Sequence, residues 1–426
     1  MDNVIHVAYA LDDNYTMFTC ISMTSLLYNT KRRVHFHVLE SRLSEDNKQV
    51  LRDIGIQFSH GSWSFYNINS VETFITSIEN GSHLTPETYY RLFLPSLLNE
   101  VDKVIWLDGD TVIDNDISEL YDTSLEGFSL GAVVQDYESG ETVLGLSRGT
   151  YIQAGVLLLD LTLLRNFGMY QKAIEAIPVL YDKFVQANVK FYADQEVLNH
   201  LFKNNYKMLS PKYNCYLCDY LNREIYSLNE YAEQAKRPVI IHLGGMKYNS
   251  ILKLDRFIFG LSDYIIKKLF LYKNKTKYAD ISDDIRLSKY IQKREEMYNF
   301  LDPIFRIQLF RDFFFKKTLE VLTKQNIQNK KVAIWGANTT NYIHGLIITL
   351  ASQGYTVDII VDGISENREG TIWNKEIEEP NQLWSRGVDF FVLILAQTKE
   401  TADRIKSVLL QNGYSSDDFY HVYETA

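Results

Sequence analysis

Apolar runs and amphipathic segments alternate from the start of the chain, and this order constrains the fold more than any other feature. The pattern predicts strands at 4–10 and 34–39 and helices at 16–28 and 45–54. Further strands are predicted at 130–134, 156–159 and 239–243. Strands that are separated by helices usually pair in parallel, so the sequence predicts an α/β fold on a parallel sheet. Ligands bind such sheets beyond the carboxyl ends of the strands, and the residues there are the first candidates for a functional site.

One predicted strand is followed directly by two carboxylates that are one residue apart, Asp108 and Asp110. Alternate residues at a strand end can turn both carboxylates toward one cation, and such a pair suits Mg²⁺ or Mn²⁺ carrying a diphosphate. A calcium loop of the EF-hand type is disfavoured, because Val112 and Ile113 occupy the third ligand position and the glycine position of that pattern.

Size and composition indicate a soluble globular protein with two or three domains, since 46% of the 426 residues are hydrophobic. The formal net charge of -10 and the absence of a basic nucleic-acid motif disfavour nucleic-acid binding. The start of the chain has no signal-peptide pattern and no apolar run is long enough to span a membrane, which predicts a cytoplasmic location. Three cysteines, Cys20, Cys215 and Cys218, fit a reducing compartment.

The sequence divides into three predicted regions, at 1–250, 251–328 and 329–426. The first is α/β and the second is helical. The third begins with a strand that enters a turn at Gly336 and predicts a small Rossmann-like domain. Its turn sequence GANTTN lacks the glycines that allow close approach of a pyrophosphate, which favours a structural or interaction role.

Cations and aromatic residues are interleaved along 260–317. Two interpretations are open for this segment. An amphipathic helix with basic flanks can lie on an anionic membrane surface, which would place the protein at the inner face of the membrane. Alternatively, its apolar face packs on neighbouring helices and its lysines are solvated.

Several short motifs occur together in residues 1 to 250. They are VAYALDDNY at 7–15, TYYRL at 88–92, LDGD at 107–110, YIQAGVLLLD at 151–160, YADQEVLN at 192–199 and IIHLGGMK at 240–247. Their order resembles glycosyltransferase family 8. That family has the GT-A nucleotide-diphospho-sugar transferase fold and comprises retaining enzymes, among them bacterial lipopolysaccharide galactosyl- and glucosyltransferases and glycogenin.

The resemblance implies a metal centre in which Asp108, Asp110 and His242 hold Mn²⁺ or Mg²⁺. Two carboxylates and an imidazole, with two diphosphate oxygens, suit Mn²⁺ better than Ca²⁺. The resemblance also implies that Gly245 and Lys247 lie at the diphosphate. The usual spacing of the family, HxxGxxK, would place the lysine one position after Lys247.

The resemblance assigns the nucleotide to the end of the first strand, where Ala10, Asp12 and Asn14 would bind uridine. A turn with a helix cap is the alternative interpretation of Asp12 and Asn14. Arg91 would reach the donor sugar and the phosphates, and a charge on a helix surface is its alternative interpretation.

The remaining motifs imply a sugar site. Asp194 would bind sugar hydroxyls and Gln195 would lie against the β face of the anomeric carbon. Gln153 stands beside the donor sugar where the family usually has asparagine, and Asp136 would line the acceptor side.

The implied reaction moves a hexose, glucose or galactose, from a UDP-sugar to a glycan, lipid-linked or glycoprotein acceptor with retention. Front-face attack is favoured, in which Gln195 stabilises the oxocarbenium-like centre, and a covalent adduct on Asp194 would contradict it. A bacterial source and a homo-oligomer are further expectations. The alternative function is a non-catalytic module that binds sugar or nucleotide-sugar. A nucleotide-sugar pyrophosphorylase is disfavoured, because LDDNY at 11–15 lacks the required loop rich in glycine and arginine.

Overall fold

The structure is a computed structural model, and it divides into two compact units. The first unit consists of Met1–Asp219, Arg237–Asn249 and Tyr264–Ile281, and the second of Tyr220–Lys236, Ser250–Asp263 and Ser282–Ala426. The residues that the structure describes are 4–68, 86–216, 225–244, 263–280, 303–327, 331–336, 340–364, 371–396 and 398–423, with the isolated positions 283, 285, 288 and 292.

Helices and strands alternate along both units. Up to residue 216 the elements are β1 (Val4–Ala10), α1 (Thr16–Asn29), β2 (Arg33–Glu40), α2 (Glu45–Gln57), β3 (Gly61–Asn67), α3 (Leu94–Leu97), β4 (Lys103–Leu107), β5 (Thr111–Ile113), α4 (Ser118–Asp122), β6 (Leu130–Gln135), α5 (Glu138–Leu144), β7 (Tyr151–Asp160), α6 (Leu161–Phe167), α7 (Met169–Gln186), α8 (Asp194–Phe202), β8 (Lys207–Met208) and β9 (Cys215–Tyr216). The later elements are α9 (Leu228–Lys236), β10 (Ile240–His242), α10 (Asp263–Lys273), α11 (Pro303–Lys324), β11 (Lys331–Trp335), α12 (Thr340–Ser352), β12 (Val357–Val361), β13 (Thr371–Ile372), β14 (Lys375–Glu378), α13 (Asn381–Ser385), β15 (Phe390–Ile394), α14 (Lys399–Gln411) and β16 (Phe419–His421).

The first unit is built on a seven-stranded sheet in the order β3-β2-β1-β4-β7-β6-β8. Strands β3, β2, β1 and β4 are parallel, as predicted, so the predicted α/β class is confirmed. Strand β7 runs antiparallel to both β4 and β6, which the prediction of a parallel sheet did not include. An apolar run has the same composition in either direction, so a buried strand does not reveal its direction.

A second, small sheet in the order β5-β10-β9 positions the candidate site. Strand β10 is antiparallel to β5, with His242 opposite Thr111. The Leu243 amide then donates to the Asp110 carbonyl over 3.1 Å. This pairing brings a histidine at the end of one strand next to the two carboxylates that precede β5.

Helix α10 packs within the first unit, although it lies in the region predicted as a separate helical segment. The Lys268 ammonium lies 2.7 Å from a carboxylate oxygen of the buried Asp114, and the Tyr272 hydroxyl donates to the same oxygen over 2.8 Å. Ile266 and Leu269 are buried. Among the described residues, no helix is long and apolar enough to cross a membrane.

The second unit has its own six-stranded sheet, in the order β13-β14-β12-β11-β15-β16. All neighbouring pairs are parallel except β13 with β14. Gly336 follows β11 with a φ of +118°, and a Cβ at this position would lie 3.2 Å from the carbonyl oxygen of Leu395. Both the backbone conformation and the close strand therefore require glycine at this turn.

Candidate active site

Three side chains that could bind a metal converge where β4, β5 and β10 meet. Asp108 follows β4, Asp110 precedes β5 and His242 ends β10. The Nε2 atom of His242 lies 3.4 Å from an Asp110 oxygen and 3.7 Å from an Asp108 oxygen. One ligand atom from each of the three residues lies within 4.8 Å of the others. Among the described residues this is the only group of three or more such side chains with that spacing.

The charges and the space around this cluster suit a cation. Burial lowers the pKa of His242, but the neighbouring Asp110 and Asp108 carboxylates outweigh it and raise that pKa above its ordinary value. A cation could take the place of the proton that these carboxylates attract. A Cβ on Gly155 would lie 2.2 Å from Cε1 of His242 and 3.0 Å from an Asp108 oxygen, so β7 can pass the cluster only with glycine there.

The imidazole of His242 is held from behind by two amide side chains. Its Nδ1 atom lies 3.1 Å from the Asn214 carbonyl oxygen, which can only accept, and 3.3 Å from the Gln153 amide nitrogen, which can only donate. The shorter contact is the one to the acceptor, which favours a proton on Nδ1. Nε2 then faces the carboxylates, where it could bind a cation in place of the proton that they attract. Gln153 Oε1 accepts from Asn214 over 2.5 Å and from the Gly155 amide over 2.6 Å. A hydrogen-bonded Nδ1 of this kind is typical of metal-ligating histidines.

Gln153 therefore contacts the metal cluster, with its amide nitrogen 3.3 Å from Nδ1 of His242. Sequence reasoning missed Asn214, because no motif marks it. It precedes the two-residue strand β9, and only the pairing of β9 with β10 brings it to the histidine.

Arg91 is buried, and it links the metal cluster to the predicted sugar site. Its guanidinium lies 2.8 Å from an Asp108 oxygen and 2.9 Å from an Asp194 oxygen. It also donates to the Ala154 carbonyl and stacks over the Trp106 ring, with its central carbon 4.6 Å from the ring centroid. The alternative interpretation of Arg91 as a surface charge is wrong, since a guanidinium held by two carboxylates is a structural part of the site.

Asp194 begins α8 and is 2% exposed. Burial raises the pKa of its carboxyl to about 7, against the opposing effect of Arg91, and Asp108 raises it further. The preceding residue, Ala193, is buried and has a φ of +61°, which an alanine rarely adopts. Such backbone strain is concentrated at functional sites, where the surrounding structure maintains it.

Gln195 is 9% exposed, and both ends of its amide are hydrogen-bonded. Oε1 accepts from the Ala154 amide over 2.9 Å, and Nε2 donates to the Tyr151 hydroxyl over 3.2 Å. The amide is therefore fixed against β7 rather than free to rotate.

The first strand ends in the predicted nucleotide region. Asp12 accepts from the Tyr15 amide over 3.1 Å and from the Asn14 side chain over 2.8 Å, which is a helix cap and leaves Asn14 exposed. Ala10 is half-buried at the end of β1. Tyr15, which sequence reasoning missed, lies beside the cluster: burial, and then the charges of Asp110, Asp108 and Asp12, raise its pKa.

Asp136 directly follows β6 and is half-buried. Gly245 and Lys247 lie outside the described residues, as does Cys218.

Known proteins share both the sequence pattern and the fold. The family model "Glycosyl transferase family 8" matches residues 6–249. The chain is 25% identical over 240 residues to glycosyltransferase GlyF of Streptococcus pneumoniae, covering 55% of this chain and 54% of that protein. It is 29% identical over 218 residues to lipopolysaccharide 1,2-glucosyltransferase of Escherichia coli, covering 49% of this chain and 62% of that protein. The chain thus spans less than two thirds of these curated relatives.

The galactosyltransferase LgtC, solved with donor and acceptor sugar analogs, has a similar structure, with a TM-score of 0.51 at 21% identity over 66% of this chain and 100% of that one. This likeness confirms the predicted GT-A fold. Because the family model covers more than half of the 426 residues, the chain belongs to glycosyl transferase family 8, a family of glycosyltransferases.

Proposed function

We propose that the protein is a retaining hexosyltransferase, which moves glucose or galactose from a UDP-sugar to a hydroxyl of a glycan, glycolipid or glycoprotein acceptor. The observation that carries this proposal is the convergence of Asp108, Asp110 and His242, whose ligand atoms lie within 4.8 Å of one another. A module that binds only sugar would have no need to keep two partly desolvated carboxylates next to an imidazole.

The three residues would hold Mn²⁺ or Mg²⁺. When bound, the metal would supply the positive charge that neutralises a diphosphate leaving group. The fit is supported by the oxygen and nitrogen donor set, by the protonation of His242 at Nδ1 and by the glycine at position 155 that makes room for the imidazole. We assign the diphosphate contact to Gly245 and Lys247, and the uridine to Ala10, Asp12 and Asn14.

The residues around the cluster would orient the donor sugar. Arg91 holds the carboxylates of Asp108 and Asp194 in place, and Asp194 would accept hydrogen bonds from sugar hydroxyls. Gln195 would lie at the anomeric carbon and Asp136 on the acceptor side.

In the proposed front-face reaction, the bond between the anomeric carbon and the phosphate oxygen breaks. A bond to the acceptor oxygen forms on the same face, and the acceptor proton passes to the departing phosphate. Gln153 would act through His242 as well as beside the sugar, since it contacts the imidazole.

A panel of UDP-sugars, assayed for release of UDP with and without Mn²⁺, tests the proposal. We expect turnover of a UDP-hexose that requires the metal and that is lost in Asp110→Asn. If the parent consumes no UDP-sugar and Asp110→Asn binds UDP as well as the parent does, the protein is a binding module instead.

The organisation of the chain remains part of the proposal. We assign catalysis to 1–250, a helical extension to 251–328 and a small Rossmann-like domain to 329–426, in a cytoplasmic bacterial protein. Homo-oligomerisation is a prediction that light scattering would test.

Membrane contact through 260–317 is also a prediction. In its first helix, Ile266, Leu269 and Phe270 are buried and Lys268 is paired with Asp114, which supports packing within the protein for that part. Flotation of the full chain with anionic vesicles tests the remainder, and an absence of binding at low salt would remove the membrane interpretation.

A further inference from the structure

Strand β7 continues past the end of its neighbour β4, and side chains of α8 replace the missing strand. The pairing of β4 with β7 ends at Leu107 and Val156. Beyond it, Asn199 accepts from the Ile152 amide over 2.8 Å and donates to the Ile152 carbonyl over 2.9 Å. Gln195 accepts from the Ala154 amide. Positions 195 and 199 are four residues apart and share one face of the helix, so both amides reach the same strand edge.

The backbone amide of Ala154 determines which way the Gln195 side chain must be turned. An N–H group can only donate, so Gln195 must present Oε1 to it, at 2.9 Å. The Nε2 group then faces the hydroxyl of Tyr151, 3.2 Å away, and can only donate to it. The oxygen of Tyr151 therefore accepts, and its own proton must go to a different group.

That group is Glu196, whose Oε1 atom lies 2.7 Å from the Tyr151 hydroxyl. Its second oxygen accepts from the Tyr192 amide over 2.8 Å. Since both oxygens must accept, the hydrogen bonds fit the ionised carboxylate, which accepts at both oxygens, whereas a protonated acid has a hydroxyl that must donate. Tyr151 and Glu196 are fully buried, so water does not replace either partner.

No step of the proposed transfer uses this buried carboxylate. Burial is the main reason that its pKa is raised to about 8, and the Tyr151 hydroxyl opposes that shift. The other titratable groups near it are Asp194 on its own helix, Tyr137 after β6 and Tyr192 before α8. All three of these neighbours are neutral or anionic, so none compensates the charge of Glu196 as a cation would.

We propose that Glu196 is a positioning residue, which acts through the Tyr151 hydroxyl to hold the Gln195 amide in the one orientation that Ala154 accepts. This inference rests on the proposed function, in which Gln195 lies at the reacting carbon. Gln195 donates to Tyr151, and Tyr151 donates to Glu196. If Gln195 were turned over, its NH₂ group would face the N–H of Ala154, and two donors would meet.

Glu196→Gln breaks the chain with little change in volume. The new amide must use its oxygen for the Tyr192 N–H, so its NH₂ group meets the Tyr151 oxygen, and the Tyr151 proton loses its acceptor. Tyr151→Phe removes only the hydroxyl and provides a second variant if Glu196→Gln does not fold. Glu141→Gln is the matched control, because Glu141 is also buried and accepts hydrogen bonds from the backbone amides of Gly149, over 2.6 Å, and Thr150, over 3.2 Å, rather than from the Tyr151 hydroxyl.

The experiment combines kinetics with crystal structures of the parent and the variants in the presence of Mn²⁺ and UDP. We expect kcat to fall about 10- to 100-fold in Glu196→Gln and Tyr151→Phe, with KM for the UDP-sugar unchanged and the loss not additive in the double variant. In the parent we expect kcat to rise with pH near 8, as Glu196 ionises, and this rise should disappear in Glu196→Gln. Gln195 should leave the Ala154 amide in both variants, while Glu141→Gln stays within about twofold of the parent.

The inference would be overturned if Gln195 remained bonded to Ala154 in both variants and kcat were no lower than in Glu141→Gln. If the parent turns over no UDP-sugar, the proposed function fails separately. The orientation of Gln195 in the crystal structures then decides the positioning role by itself.

Discussion

The two units place the same residue types at strand ends and use them differently. In the first unit, Asp108 follows a parallel strand and His242 ends another, and the two side chains meet. In the second unit, Asp362 follows β12 and His421 ends β16, but each bonds to nearby backbone. An Asp362 oxygen accepts from the Ile364 amide over 2.8 Å, and Nε2 of His421 bonds to the Ala396 carbonyl over 2.8 Å.

Sheet order explains the difference. Strands β12 and β16 are separated by β11 and β15, so their ends are about 14 Å apart at the usual strand spacing. In the first unit, β10 lies outside the main sheet and pairs with β5, which brings its histidine to the carboxylates. An α/β sheet by itself therefore does not make a metal site, and the additional small sheet does.

Replacing one carboxylate in each unit should give the largest difference in turnover between the two units. We expect Asp110→Asn to lower turnover of the UDP-sugar by about 100- to 1000-fold, because it removes a charged ligand from the cluster. Asp362→Asn should leave turnover unchanged, since that carboxylate caps its own turn. Steady-state kinetics with Mn²⁺ measures both, and equal losses in the two variants would remove the distinction between the units.

A methyl group added to one glycine in each unit should separate metal binding from stability. Gly155→Ala would drive a Cβ into the His242 ring, at 2.2 Å from Cε1, and should weaken Mn²⁺ binding about 10- to 100-fold. Gly336→Ala should lower the melting temperature and leave Mn²⁺ affinity unchanged, because its φ of +118° strains any alanine. Mn²⁺ titration followed by electron paramagnetic resonance, together with calorimetry, gives the two readouts.

Asn214→Ala should have a smaller effect on the metal. It removes the acceptor for Nδ1 of His242 and should lower Mn²⁺ affinity about tenfold. Asn115→Ala is the control, since Asn115 donates to the carbonyl of Pro238, which precedes β10 at the end opposite His242. Equal Mn²⁺ affinities in the two variants would show that Asn214 has no special role for the histidine.

A histidine cluster on the main sheet should make the stability of the first unit sensitive to acid. The rings of His6, His35 and His37 lie together, and Nε2 of His37 is 2.9 Å from Nδ1 of His6. Burial, followed by the charges of His35 and His6, lowers the pKa of His37 from 6.5 to about 3. The hydroxyl of Tyr66 is also hydrogen-bonded to His37.

Between these two pKa values the unfolded chain binds more protons than the folded chain. Above pH 6.5, His37 is neutral in both states and does not lower the free energy of unfolding. As the pH falls from 6.5 toward 3, protonation of the unfolded chain lowers the free energy of unfolding progressively. We expect calorimetry to show a lower melting temperature for the first unit at pH 5 than at pH 7.5. His37→Gln should flatten this dependence, and an unchanged slope in the variant would assign the acid sensitivity to other groups.

The sequence was sufficient for part of the elements and for the carboxylates at one strand end. The first two strands, the first two helices and the Asp108 and Asp110 pair were identified from local patterns, and the family resemblance added the histidine at position 242. Local patterns are enough there because apolar periodicity and a polar residue at a strand end are properties of neighbouring positions.

Other features depended on contacts between distant segments. No local pattern showed that β7 runs antiparallel, that Gln153 and Asn214 support His242, or that Arg91 is buried between Asp108 and Asp194. These contacts join residues that are 17 to 103 positions apart along the chain.

The sequence by itself thus determined an α/β protein with carboxylates at the end of a buried strand and the motifs of a sugar-transferring family. Only the tertiary structure decided which side chains share the site and which way their donors point. The physical reason is that pairing of strands sets distances between remote residues, and a fixed backbone N–H such as that of Ala154 then sets the direction of every hydrogen bond that follows it.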